Sequence, residues 1–268
     1  MRHQFVYTLV TVFSLVLLGG CRENKDTDLQ LEEQAISELY NELISFENAN
    51  GFDCSTKGFW SNLAKTAAWD APPLLLNIPL PGMGYFISGV VSMFAAIFIF
   101  EEPELSINST STLLLAEDAP TLNPVGIEHN ECLSEIVLHA PNLIHETPQG
   151  MINTAISVYK DNNPECPFSD YIELKTVFPL IDDILSCSTE QELLCLCRQN
   201  VTSSGLVDIA EQLIETISTI SDLADLSEYS ESVQSIIDAS SVSQANKIKL
   251  QEVLSVASYS KALWDENL

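Results

Sequence analysis

The chain has 268 residues, of which 38 are Asp or Glu and 11 are Lys or Arg, so its formal net charge is −27. This charge argues against a nucleic-acid-binding protein, because that class neutralises phosphates with Lys and Arg. Hydrophobic residues make up 46% of the chain. That share is ordinary for a globular protein, so the acidity does not indicate general disorder.

The N-terminus has a short positive start and then an apolar run over residues 5–18, which is typical of a signal peptide. The run ends in Leu18-Gly19-Gly20-Cys21, which resembles the lipobox of bacterial lipoproteins. This resemblance implies cleavage between Gly20 and Cys21 and attachment of a diacylglycerol to the Cys21 thiol. An ordinary signal-peptidase site would instead require a small residue where Leu18 stands.

The same resemblance implies a membrane attachment through the acyl chains of Cys21, since two or more chains anchor a protein stably. Residues 1–20 are then the signal peptide, residues 21–30 a polar tether, and residues 31–268 a single helical domain. In that family an Asp after the acylated Cys retains some proteins at the inner membrane, and none stands there in this chain. We therefore expect the outer membrane, on its periplasmic or surface face, rather than the inner membrane.

The cysteines that remain after Cys21 are even in number, and an even number in an exported chain favours disulfide bonds. Sequence alone does not select the pairing. A thiolate metal site is less favoured, because the paired C-x-x-C spacing of zinc sites is missing. The candidates for disulfide bonds are Cys54, Cys132, Cys166, Cys187, Cys195 and Cys197.

Apolar residues recur every three or four positions along most of the chain, which predicts amphipathic helices. The first spans residues 29–48, and Gly51 is a natural stop after it. No sustained alternation typical of strands occurs, so we predict an all-α protein. The expected architecture is an irregular bundle of about eight or nine helices, stabilised by disulfides. Further helices are predicted at 57–69, 131–139, 148–160, from 170 with a kink at 179, at 192–199, 206–220, around 233–237, and from 245.

An uncharged stretch lies between Asp70 and Glu101, and residues 83–100 within it form an apolar helix by pattern. Small residues recur there every four positions, which lets another helix approach closely. We expect this helix to be the buried centre of the bundle. A stable membrane span is an alternative, although it would place five of the cysteines in the reducing cytoplasm.

A third interpretation of the apolar helix is a membrane-inserting one. Residues 81–100 resemble the inserting helices of α-helical pore-forming toxins, through Pro81-Gly82-Met83-Gly84 and the apolar run that follows. This resemblance implies a helix that is hidden in the bundle at rest and enters a membrane under some condition.

No assembled catalytic or cofactor motif occurs in the sequence, so we predict no cofactor and favour a non-catalytic binding module over an enzyme. Glu131, Glu135 and His139 are spaced to share one helix face, a weak candidate for a divalent-metal site. A metal-dependent envelope enzyme is therefore a second alternative, after the membrane-inserting protein. The acidic residues spread over several helix faces, which is typical of a solvated, self-repelling surface. A docking face for a basic protein partner is the functional alternative.

Overall fold

The computed structural model describes residues 27–52, 69–76, 83–94, 113, 121–139, 150, 153, 154, 157 and 178–267. These residues form helices, turns and loops, and no strand occurs among them. The predicted all-α class is confirmed. The signal peptide, the lipobox and most of the predicted helices at 57–69 and 148–160 lie outside the described residues.

The helices follow one another with short connections in the C-terminal part of the chain. A short 3₁₀ turn covers Pro72–Leu75 between the first two helices. In chain order the helices are α1 (residues 27–50), α2 (Met83–Phe94), α3 (Val125–His139), α4 (Phe178–Leu185), α5 (Glu190–Asn200), α6 (Ser204–Thr219), α7 (Leu223–Ala239) and α8 (Gln244–Asn267).

Local capping explains where several helices begin. Thr189 caps α5 by accepting from the backbone N–H of Glu192, whose carboxylate accepts in turn from the N–H of Ser188. The sequence Ser188-Thr189-Glu190-Gln191 predicts a capping box, and the box in the structure lies one residue later, at Thr189 and Glu192. For α7 the cap is Asp222, which accepts from two backbone N–H groups. The sequence also suggests Ser227 as a cap, but Ser227 lies inside α7 and its hydroxyl donates to the carbonyl of Leu223.

The centre of the bundle is α8 rather than the uncharged helix. Residues 253–263 of α8 are all buried, and α8 packs against α3, α6, α7 and the 3₁₀ turn. Its buried face carries hydroxyls, among them those of Ser255, Ser258 and Ser260. Hydropathy could not single out this helix, because these hydroxyls are satisfied by partners from distant parts of the chain.

The expected burial of the uncharged helix is confirmed for residues 87–92 of α2. A Cβ added at Gly89 would lie 3.8 Å from the Sγ of Cys132, an ordinary van der Waals distance, so α2 packs directly against α3 at this position. Residues 95–100 lie outside the described residues. Within the described part of the chain, no helix has the length and apolar character needed to cross a membrane.

The structure does not support the expected disulfides among the four cysteines that it describes. Cys187, Cys195 and Cys197 are free thiols, and Cys132 forms no disulfide bond with any of them. Cys197 is buried and its thiol donates to the carbonyl of Pro72 at 3.5 Å, whereas Cys195 is exposed. In the described residues the helices are therefore held by apolar packing and hydrogen bonds. Cys54 and Cys166 lie outside them.

Candidate functional site

A surface cleft of about 590 Å³ lies where the end of α1 meets the start of α7. Phe46 and Phe52 contribute aromatic rings, and Asp225 and Glu228 contribute carboxylates. The rest of the lining is uncharged and comes from Asn50, Gly51, Thr219, Ile220, Ser221 and Ser232.

The turn after α1 gives the cleft its shape. Gly51 has a φ of 78°, a left-handed conformation that a Cβ disfavours. This conformation reverses the chain, and the backbone N–H of Phe52 donates to the carbonyl of Glu47 at 2.9 Å. The pattern is a Schellman ending, which satisfies an orphan carbonyl and turns the following side chain back onto the helix. Phe52 is thereby placed beside Phe46.

Three aromatic rings pack together at the cleft. Those of Phe46 and Phe52 line it, and that of Tyr229 lies behind them. The ring centroids of Phe46 and Phe52 are 6.1 Å apart, and that of Tyr229 lies 6.2 Å from Phe46 and 5.1 Å from Phe52. These separations are typical of attractive aromatic pairs. Tyr229 is fully buried, whereas the two Phe rings are half-buried and line the cleft.

The charge of the cleft is negative. Asp225 and Glu228 are exposed and three residues apart on α7, so they lie on neighbouring positions of one face. None of the residues that line the cleft is Lys, Arg or His. A cationic group therefore has both an aromatic surface and two carboxylates to contact there.

A third carboxylate, that of Glu47, lies beneath the aromatic rings and is only 3% exposed. The Tyr229 hydroxyl donates to its Oε1 at 2.7 Å, Thr216 Oγ1 donates to the same oxygen at 2.9 Å, and Gln212 Nε2 donates to Oε2 at 2.7 Å. Burial raises the pKa of Glu47, and the three hydrogen bonds oppose this shift. These contacts join α1, α6 and α7 at the cleft.

A second polar cluster lies deep in the core around Asp70, which precedes the 3₁₀ turn. The Ser260 hydroxyl of α8 donates to Asp70 Oδ2, and Ser88 Oγ of α2 donates to the Asp70 carbonyl at 2.6 Å. The Nε2 atom of His129 in α3 lies 3.9 Å from Asp70 Oδ2. The cluster thus connects the 3₁₀ turn with three helices.

Burial controls the charge of this cluster. Desolvation raises the pKa of Asp70 to about 8, against the opposing hydrogen bonds of Ser260 and Ser92. Desolvation also lowers the pKa of His129 to about 4. Both groups are therefore largely uncharged near neutral pH.

The Asp70 cluster contains Ser, His and Asp, but its geometry is not that of a nucleophile activated by a base. Ser260 donates to Asp70 rather than to His129, and Asp70, His129 and Ser260 are fully buried. A catalytic serine must instead contact the imidazole and reach the substrate. We therefore assign this cluster to the core of the fold.

The predicted metal ligands lie on α3, as the spacing required. Glu131 is exposed and Glu135 is half-buried, and the side chain of His139 is outside the described part of the structure. Among the residues described, no group of three His, Cys, Asp or Glu side chains is placed to hold a metal ion. The metal site stays a prediction.

Sequence reasoning missed the cleft, although one signal pointed to it. Gly51 after an amphipathic helix indicated where α1 ends, and this was confirmed. Nothing local indicated that α7 would bring Asp225 and Glu228 to that end, because the contact joins residues far apart in the chain.

Comparison with known proteins gives no relative: no family model, curated protein or solved structure matches this chain. A functional proposal therefore depends on the residues of the chain itself.

Proposed function

We propose that this protein is a lipid-anchored helical interaction protein of the bacterial cell envelope, which binds a basic protein partner through the cleft between α1 and α7. The observation that carries the proposal is the cleft itself, with two aromatic rings, two carboxylates and no basic residue in its lining. The anchor at Cys21 is proposed from the lipobox resemblance and would hold the domain at the membrane surface.

Each part of the cleft suits a Lys or Arg side chain. Cations are attracted to aromatic faces such as those of Phe46 and Phe52. Carboxylates such as those of Asp225 and Glu228 form charge-assisted hydrogen bonds with ammonium and guanidinium groups. The formal net charge of −27 adds a long-range attraction that steers a basic protein toward the domain.

Neutralising the two cleft carboxylates is expected to weaken binding of a basic peptide. We expect the variant with Asp225→Asn and Glu228→Gln to bind blocked tetralysine or tetraarginine peptides about tenfold more weakly in isothermal titration calorimetry. The matched control carries Glu33→Gln and Glu42→Gln, two exposed acids of α1 outside the cleft lining. It has the same net charge, so it should lose much less affinity. Equal losses in both variants would show diffuse attraction and no cleft site.

The lipid anchor has its own test. The protein isolated from membranes should begin at Cys21 and carry acyl mass, as measured by intact-mass spectrometry. Cys21→Ser is expected to stall processing or release the protein from the membrane, because the acyl chains provide the anchoring free energy. An unmodified mature N-terminus at another residue would contradict the proposal.

A further inference from the structure

We infer that Glu47 is the charge-selecting residue of the cleft, so that an organic ammonium or guanidinium group on the Phe46 and Phe52 rings interacts with this buried carboxylate as well as with the carboxylates of Asp225 and Glu228. This inference rests on the proposed function, since it requires that the cleft binds a cation. Glu47 does not line the cleft, and it would lose a proton when the cation binds.

Glu47 is connected to the residues that line the cleft through the side chain of Tyr229. The Tyr229 ring packs 5.1 Å from Phe52 and 6.2 Å from Phe46, centroid to centroid, and its hydroxyl donates to Glu47 at 2.7 Å. The Tyr229 side chain therefore contacts both the Glu47 carboxylate and the two Phe rings that line the cleft. Because Glu47 is buried, a charge in the cleft acts on it through a medium of lower dielectric constant than water, and so more strongly than it would across solvent.

Three neutral side chains of the described residues donate hydrogen bonds to Glu47: Gln212 and Thr216 on α6 and Tyr229 on α7. The charged groups on the surrounding helices are acidic. Burial raises the pKa of Tyr40, and the acidic groups of Asp208, Glu211 and Glu215 on α6 and of Glu47 raise it further. On α7, Asp225 and Glu228 face the cleft. The base Arg198 of α5 pairs with Asp208 at 3.0 Å and with Glu211 at 2.7 Å, and it does not line the cleft.

Binding and proton loss are coupled through this carboxylate. Burial favours the protonated form of Glu47, whereas a cation above the rings favours the charged form. At a pH where Glu47 is protonated, a bound cation therefore favours loss of this proton to the buffer, and the carboxylate keeps its three donors. By linkage, affinity for the cation rises with pH through the range in which Glu47 loses its proton, which lies above the ordinary range of Glu.

The test measures proton release. The full chain is titrated with blocked tetralysine at about pH 6 in two buffers of different ionisation enthalpy, and the titration is repeated at higher pH. We expect release of a fraction of a proton per bound peptide and a gain in affinity of roughly threefold to tenfold as pH rises. Glu47→Gln should abolish the proton release and the rise in affinity with pH that Glu47 causes. The remaining binding should be weaker and less dependent on pH.

Tyr229→Phe is the second variant, because it keeps the ring and removes one donor to Glu47. It should move the pH range of proton release upward, a change that a merely structural role of Glu47 would not produce. If Glu47→Gln does not fold, this shift decides the question, and an unchanged profile in Tyr229→Phe overturns the inference.

Different results would contradict the role of Glu47 and the cation-binding function of the cleft. Proton release that persists undiminished in folded Glu47→Gln overturns the role of Glu47 and leaves the cleft as a cation site. Failure of the unmodified protein to bind either basic peptide overturns the proposed function itself. Binding of neutral oligosaccharides with equal affinity would also contradict selection by charge.

Discussion

Asp70→Asn is expected to stabilise the protein by about 5 kcal/mol above about pH 8 and to change its stability little near pH 4. The Asp70 carboxyl is fully buried, and burial raises its pKa to about 8. The ordinary pKa of Asp is about 3.9. The folded state therefore holds this proton more tightly than the unfolded state, and the resulting stability is lost as pH rises from about 4 to about 8. Asn resembles the protonated carboxyl and avoids this loss.

The measurement is the free energy of unfolding in urea for both proteins across this pH range. The difference between them should grow by about 1.4 kcal/mol per pH unit and then level off. His129 acts in the opposite direction: burial lowers its pKa to about 4, so stability falls as pH drops from about 6.5 toward 4. This contribution is common to both proteins and cancels in the difference.

An exposed acid on α3 provides the control for Asp70. Glu131→Gln removes a carboxylate that is exposed to solvent, so its effect should be small at every pH. A difference between Asp70→Asn and the unmodified protein that does not vary with pH would contradict the prediction. It would mean that the Asp70 carboxyl has the same pKa in the folded and unfolded states.

Gly126→Ala is expected to destabilise the protein by about 3 kcal/mol, because α3 and α8 touch at this position. A Cβ at Gly126 would lie 2.5 Å from Ser255 Oγ, 2.6 Å from the Ser255 carbonyl oxygen and 2.6 Å from Tyr259 Cδ2. The carbonyl belongs to the α8 backbone, so a rotamer change cannot relieve the clash. Ser255 also accepts from the Gly126 N–H at 3.1 Å, and this bond would be strained.

Gly89→Ala is the matched control for this substitution, since Gly89 is also a buried helical glycine at a contact with α3. The atom nearest to its added Cβ is 3.8 Å away, an ordinary van der Waals distance. Ala at this position should be tolerated and should gain up to about 1 kcal/mol of helix propensity. Equal destabilisation by both substitutions in thermal or urea unfolding would show that the α3–α8 contact is not as close as the structure has it.

Local features of the sequence determined the helical class, the capping box before α5 and the end of α1 at Gly51. Hydrophobic periodicity, helix caps and the conformation of glycine depend on a few neighbouring residues. They can therefore be predicted from the sequence without knowledge of the fold. The lipobox is likewise a local motif, and acylation at Cys21 stays a prediction. The expectation of a buried apolar helix was confirmed for residues 87–92, since a long uncharged segment has few stable places in water.

Only the tertiary structure decided which helix is central, which polar groups meet and where a ligand has room. The Ser260 hydroxyl and Asp70 are 190 residues apart in the chain, and the Tyr229 hydroxyl and Glu47 are 182 apart. Burial of these polar groups is favourable only when distant residues supply their hydrogen-bond partners. No local sequence pattern predicts which residues these are. Cys195 and Cys197 are two residues apart on α5, so the helix places their side chains on different faces. Packing of α5 against the 3₁₀ turn decides that Cys197 is the buried one.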